Sequence, residues 1–125
     1  KNESTCKEVG AEVPSTTYFA IRESDHKLVG IIDLRHHINH PLFSSWAGHC
    51  GCSVRPSERG RGYAKEMLRL NLKNAHNIGI DKILVTCLTK NDASEHTILA
   101  NNGIYENTIE VDGFLIKRYW IKTKP

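Results

Sequence analysis

The chain has 125 residues, 39% of them hydrophobic and 25% charged, which fits one globular domain that buries its own core without disulfide or metal staples. Its net charge of +3 suits a small anionic ligand and excludes the dense basic stripe of a nucleic-acid binder. Cys6, Cys50, Cys52 and Cys87 form no CxxC pair and have no zinc-like spacing, no apolar run approaches the ~18 residues of a membrane span, and no signal peptide is recognisable, so the expectation is a cytoplasmic protein with reduced thiols and no membrane or nucleic-acid partner.

Residues 1–16 read as an irregular, polar N-terminal segment of a single domain spanning residues 1–125. Tyr18 to Arg22 and the β-branched run Leu28 to Leu34 form two strands of an antiparallel hairpin, with the polar turn Glu23 to His26 between them. Arg35 to Ser45 is a polar connection punctuated by Pro41, and Trp46 to Val54 is a third strand. After a loop, Tyr63 to Ile78 carries the strongest helical pattern: Ala64, Met67, Leu68, Leu72 and Ala75 recur on one face, and Gly79 stops it. Lys82 to Leu88 is a compact buried strand, so strand, helix and strand make a βαβ unit with parallel strands. Asp92 to Asn101 is a shorter helix, with Asp92 and Glu95 at capping-box spacing and Asn102-Gly103 at its end. Ile104 to Val111 and Phe114 to Ile121 flank Asp112-Gly113, a strong hairpin signal. The Lys-rich end, Lys117 to Lys124, reads as a solvated strand face, and Trp46 and Trp120 read as core or strand-edge aromatics. The edge strands leave room for a homodimer.

The run Arg59-Gly60-Arg61-Gly62-Tyr63-Ala64 leaves a strand and opens a helix. Its glycines let a ligand approach the backbone closely. The first amides of the helix lack partners within it and the dipole there favours negative charge, so a diphosphate fits. Arg55, Arg59 and Arg61 surround it, and Glu58 reads as a surface residue. A Walker loop would end in Gly-Lys-Ser/Thr and a Rossmann fingerprint would need a third glycine in the first βα unit. Neither is present.

These residues resemble the GNAT superfamily of N-acetyltransferases. That family carries Arg/Gln-x-x-Gly-x-Gly/Ala between its fourth strand and third helix, which Arg59 to Ala64 match, and Val54 and Pro56 extend the match. The resemblance runs from Tyr18 to the C-terminus. It is strongest to a group of bacterial predicted acetyltransferases with Gly48-His49-x-Gly51 on the strand and Arg118-Tyr119-Trp120-Ile121 near the end. It implies an α/β (α+β) fold: a mixed, mostly antiparallel sheet with a central parallel βαβ unit and flanking helices, here without part of the usual N-terminal lobe.

The resemblance also implies acetyl-CoA as cofactor, no metal, and direct acetyl transfer to a primary amine of a small molecule or peptide. Arg59, Gly60, Arg61, Gly62, Tyr63 and Ala64 would hold the pyrophosphate. Cys52, Ser53 and Val54 would pair by backbone with the pantetheine arm, and Asn91 and Ser94 would contact the cofactor. The acetyl group would lie where the strands before and after the helix splay apart. The family's proton donor to the leaving thiolate is often a Tyr on the helix after Asn91; Ile98 occupies that position here, and Tyr105 is the nearest substitute. His49 has the chemistry of a general base. Arg35 and His36, with His37 and His40, read as a solvated loop or as an acceptor-binding loop for an acidic substrate; the spacing H-H-x-x-H lacks the helical Glu of a zinc site. The alternative is a non-catalytic acetyl-CoA-binding sensor or interaction module, which would share the loop and lack turnover.

Overall fold

The computed structural model describes residues 14–39 and 43–124. Among the described residues, six strands form two three-stranded antiparallel sheets, with two α-helices packed on them. The first holds β1 (Ser15–Arg22), β2 (Lys27–Arg35) and β3 (Cys52–Val54) in the order β1-β2-β3. The second holds β4 (Lys82–Leu88), β5 (Ile104–Val111) and β6 (Phe114–Lys122) in the order β4-β6-β5. Helix α1 (Tyr63–Asn77) packs on β2, β3 and β4, and α2 (Asp92–Ala100) packs on α1 and β4.

Local chemistry accounts for the elements. The β1–β2 hairpin turns through His26 at φ 59°, and β5–β6 turns through Asp112 and Gly113, both at positive φ, the geometry that suits the twist of paired strands. The C-terminus of α1 closes as a Schellman motif, with Gly79 N–H donating to His76 C=O and Ile80 N–H to Ala75 C=O. Helix α2 closes the same way with Asn102 at φ 66° in the left-handed position, and Gly103 N–H donates to Ile98 C=O. The core lies under the helices, where Leu34, Leu68, Ile83, Ile98, Tyr119 and Ile121 meet. Among the described residues no helix is long and apolar enough to cross a membrane.

Several sequence expectations change. β1 begins at Ser15, so the irregular N-terminal segment ends sooner; residues 1–13 lie outside the described part of the chain. The third strand is regular only over Cys52–Val54, because Phe43–Ala47 form a π-helical turn. That turn is held by β6 and β4: the Arg118 guanidinium donates to Ser44 and Ser45 C=O at 2.9 and 2.7 Å, and Thr86 Oγ1 donates to Trp46 C=O at 2.6 Å. The tail is therefore more than a solvated face, since Lys117 also pairs with Glu95 at 2.8 Å. The N-cap of α2 is Asn91, whose Oδ1 accepts from Ser94 N–H at 3.1 Å, and Asp92 is already helical. Most importantly, β3 and β4 form no parallel ladder; the segment leading into β3 meets β4 at His49 and Leu84, and the two then part.

Candidate active site

The parting of β3 and β4 leaves a cleft of about 710 Å³, within the range of small-molecule and cofactor pockets. One wall is β3 with its approach, Cys50 to Val54; the other is Val85 and Thr86 of β4, with α2 beyond. Leu68 and Ile98 form its apolar floor, and the loop from Arg59 to Lys65 closes one end. At that end Gly60 and Gly62 stand at φ 80° and 83°, and Gly62 is the N-cap of α1 without a side-chain cap. The first-turn amides therefore keep their hydrogen-bonding capacity for a ligand. A Cβ at either glycine would meet nothing within 4 Å, so backbone conformation, not crowding, favours glycine there.

Glu58 lines the same end and is not the surface residue its sequence context implies: it is 4% exposed. Its carboxylate receives Arg22 at 2.6 Å and Lys27 at 3.0 Å, with Arg61 at 3.6 Å. The Lys27 ammonium, then the Arg22 guanidinium, hold its carboxyl below the usual carboxylate range. Arg22 also donates to Tyr63 Oη at 3.2 Å and to Asp25. The tip of the β1–β2 hairpin is thus tied to the glycine loop through one buried carboxylate, which gathers Arg22, Lys27 and Arg61 near the helix start.

The opposite end is the vertex where the sheets meet. His49 is 5% exposed, its N–H donates to Leu84 C=O at 2.8 Å, and its Nδ1 accepts from Leu84 N–H at 2.8 Å. Burial, then the charges of Arg35 and His37, pushes its pKa down to about 4. With Nδ1 accepting, the neutral ring carries its proton on Nε2. A base role would require protonating Nδ1 and breaking the Leu84 bond. His49 does not line the cleft, so its geometry is that of a structural ring.

Tyr105 is also displaced from the expected role. It sits on β5, two strands from β4, half exposed, with its hydroxyl paired to Thr108 Oγ1 at 2.7 Å and its ring edge-on to Tyr119. It does not line the cleft. Arg35 ends β2 and His36 follows it, both outside the cleft; Arg35 donates to Gly48 C=O at 3.0 Å, and His36 Nε2 lies 2.8 Å from Thr16 Oγ1. His40 lies outside the described residues. Cys52, Ser53, Val54, Asn91 and Ser94 do line the cleft, as do Arg59, Gly60, Gly62, Tyr63 and Ala64; Arg61 stands beside it through Glu58. Burial pushes the Cys50 thiol up to about 12 and raises Cys52 as well, so both are protonated thiols at neutral pH. Sequence reasoning passed over His96, Thr97 and Thr86, which also line the cleft. The signal is available for Thr97, which lies three residues beyond Ser94 on the same face of α2.

A family model described as an acetyltransferase (GNAT) domain matches residues 4–103. No curated protein matches the chain by sequence. Among solved structures, a mutant form of the spermidine N-acetyltransferase SpeG from Vibrio cholerae superposes with a TM-score of 0.72 at 17% identity, over 97% of this chain and 72% of that one. A protein from Acinetobacter baylyi, described as an acetyltransferase, gives a TM-score of 0.71 at 16% identity, over 95% of this chain and 67% of that one. A Bordetella pertussis protein assigned to the GNAT acetyltransferases gives 0.67 at 14% identity, over 86% and 65%. At these identities the structural likeness is one of fold. The family model covers most of the chain, and on that match the chain belongs to the GNAT acetyltransferase family.

Proposed function

We propose that the protein moves an acetyl group from acetyl-CoA to a primary amine of a small molecule, by direct attack with both substrates bound. The observation that carries this reading is the cleft itself: an uncapped helix start on a two-glycine loop at one end, and two separated strand edges at the other. The residues fit the donor. The amides from Gly62 to Lys65 would receive the pyrophosphate, with Arg59 and Arg61 balancing its charge. The backbone of Cys52 to Val54 would line the pantetheine arm, and Asn91 and Ser94 would flank it across the cleft.

Bound acetyl-CoA supplies an activated thioester. The chain's part is to hold that ester between the strand edges, to offer a β3 amide to the carbonyl oxygen, and to exclude bulk water with Leu68 and Ile98. The cleft's imidazole is His96, and it is the side chain best suited to relay the acceptor's proton. Ile98, 2% exposed, gives the leaving thiolate no donor; as the C–N bond forms and the C–S bond breaks, the thiolate takes its proton from water or, through His96, from the acylated nitrogen. The structural neighbours named for spermidine support a small, cationic amine as the first acceptor to try.

Ile98, which stands on α2 in place of a tyrosine, also favours a second reading, a module that binds acetyl-CoA without turnover. One experiment separates the two. The purified chain is titrated calorimetrically with acetyl-CoA, and free CoA release is then followed with spermidine and with a pool of primary amines. Binding with amine-dependent release establishes the transferase. Binding without release supports the module, and no binding removes the donor assignment.

A further inference from the structure

We propose that Gly48 and His49 form a pin that fixes where the two sheets part, and that His49 serves the cleft as a positioning residue, not as its base. In a regular strand, a residue's N–H and C=O face the same neighbour. At His49 they face opposite neighbours: the carbonyl accepts from Arg35 N–H of β2 at 2.7 Å, and the N–H donates to Leu84 C=O of β4 at 2.8 Å. The backbone therefore has no second acceptor to offer β4. Leu84 is fully buried, so its own N–H would be an orphan, a condition folded proteins avoid. The imidazole Nδ1 takes that bond at 2.8 Å. One side chain replaces the missing carbonyl, the ladder ends, and from Cys50 and Val85 onward the strands line a cleft instead of pairing.

Gly48 makes the junction sterically feasible. It stands at φ 69°, and a Cβ there would lie 2.4 Å from Leu84 C=O. Arg35 braces the same corner, with its guanidinium 3.0 Å from Gly48 C=O. The charged and titratable groups facing the ring are Arg35 on β2 and His37 beyond it, and with burial they keep Nδ1 unprotonated at neutral pH. The pin sets the separation of the strand edges that the donor's thioester must enter; that consequence rests on the donor reading above, whereas the pin itself does not.

The test uses the whole chain and the variants His49→Ala and His49→Asn, because an Asn Oδ1 can accept where Nδ1 does. Amide hydrogen exchange reports Leu84 directly. The expected result is faster exchange at Leu84 in His49→Ala by about a hundredfold relative to other core amides, with protection largely restored in His49→Asn. Nitrogen NMR of the wild-type ring should show the Nε2–H form at pH 7. In parallel, acetyl-CoA affinity should fall about tenfold or more in His49→Ala and return in His49→Asn, with kcat and its pH profile unchanged in the latter. Equal Leu84 exchange in the wild type and a folded His49→Ala would overturn the pin, as would an Nδ1–H ring. Should His49→Ala not fold, the ring tautomer and His49→Asn decide. Loss of turnover in a His49→Asn variant that keeps Leu84 protection and acetyl-CoA affinity would overturn the positioning role. If the wild type binds no acetyl-CoA, the donor reading fails while the exchange data still judge the pin.

Discussion

The two ends of the cleft are built by opposite means. At the α1 end the backbone is left open: Gly60 and Gly62 have empty space around them, and no side chain caps the helix. At the vertex it is closed, with Gly48 against Leu84 and both polar groups of Leu84 satisfied by one histidine. Open amides are what a ligand uses; saturated ones are what a hinge line needs if it is to stay put. The contrast can be pressed by substituting glycine at either end.

At the vertex, Gly48→Ala sets a methyl group against a backbone oxygen at a positive φ. Strained backbone and overpacking together should lower stability by about 3 kcal/mol, read as a lowered denaturant midpoint with an unchanged slope. At the open end, Gly62→Asp should behave differently. Asp is a good N-cap and tolerates the left-handed region, so stability should hold or rise slightly. Its carboxylate would compete for the first-turn amides and repel a diphosphate, so acetyl-CoA affinity should fall about a hundredfold by calorimetry. Unchanged affinity in a folded Gly62→Asp would remove the loop from the donor site.

Acid distinguishes the two ends by a smaller effect. The folded His49 pKa, about 4, lies below the ordinary imidazole value of 6.5, so the unfolded chain takes up its proton first. The stability tied to neutral His49 is therefore complete above about pH 6.5 and lost as pH falls toward 4. Allowing for partial solvent screening, that loss is about 2 kcal/mol. Glu58, whose carboxyl is held down by Lys27 and Arg22, contributes stability that is present above its unfolded pKa and lost only as pH falls through its lower folded value. Unfolding followed from pH 7 to pH 3 should thus show the vertex weakening before the loop, and His49→Asn should abolish the first phase alone.

What could be read from the sequence follows from how local each requirement is. The glycine loop, the face of α1 and the Asp112-Gly113 hairpin are each specified within a few consecutive residues, and each was expected where the structure has it. The vertex was hidden because His49 and Leu84 are 35 residues apart, so neither strand alone reveals that a side chain would stand in for a carbonyl. The unpaired β3 and β4 follow from the same cause. Glu58 looks like a surface residue in sequence because its partners Arg22 and Lys27 come from a distant hairpin tip. The cap of α2 lies one residue before the position expected from sequence because Asn91 and Asp92 are adjacent and both are good cap formers.

The smallest expected effect concerns Tyr105, and it sharpens the contrast between sequence proximity and placement. Tyr105 follows α2 by only a few residues, which made it the nearest phenol to the vacant proton-donor position. Strand order removes it: β6 lies between β5 and β4, and the hydroxyl is already paired with Thr108. Tyr105→Phe should therefore leave kcat within about twofold of the wild type, whereas deletion of a true general acid lowers it by 10²–10⁴-fold. Stability should drop by about 0.5 kcal/mol at most, the worth of one exposed hydrogen bond. A large fall in kcat with acetyl-CoA affinity intact would mean that β5 moves toward the cleft when substrates bind, and the proton path would then have to be redrawn through the second sheet. An unchanged kcat would leave water or the relayed ammonium as the thiolate's proton source, consistent with a cleft whose floor at Ile98 offers none.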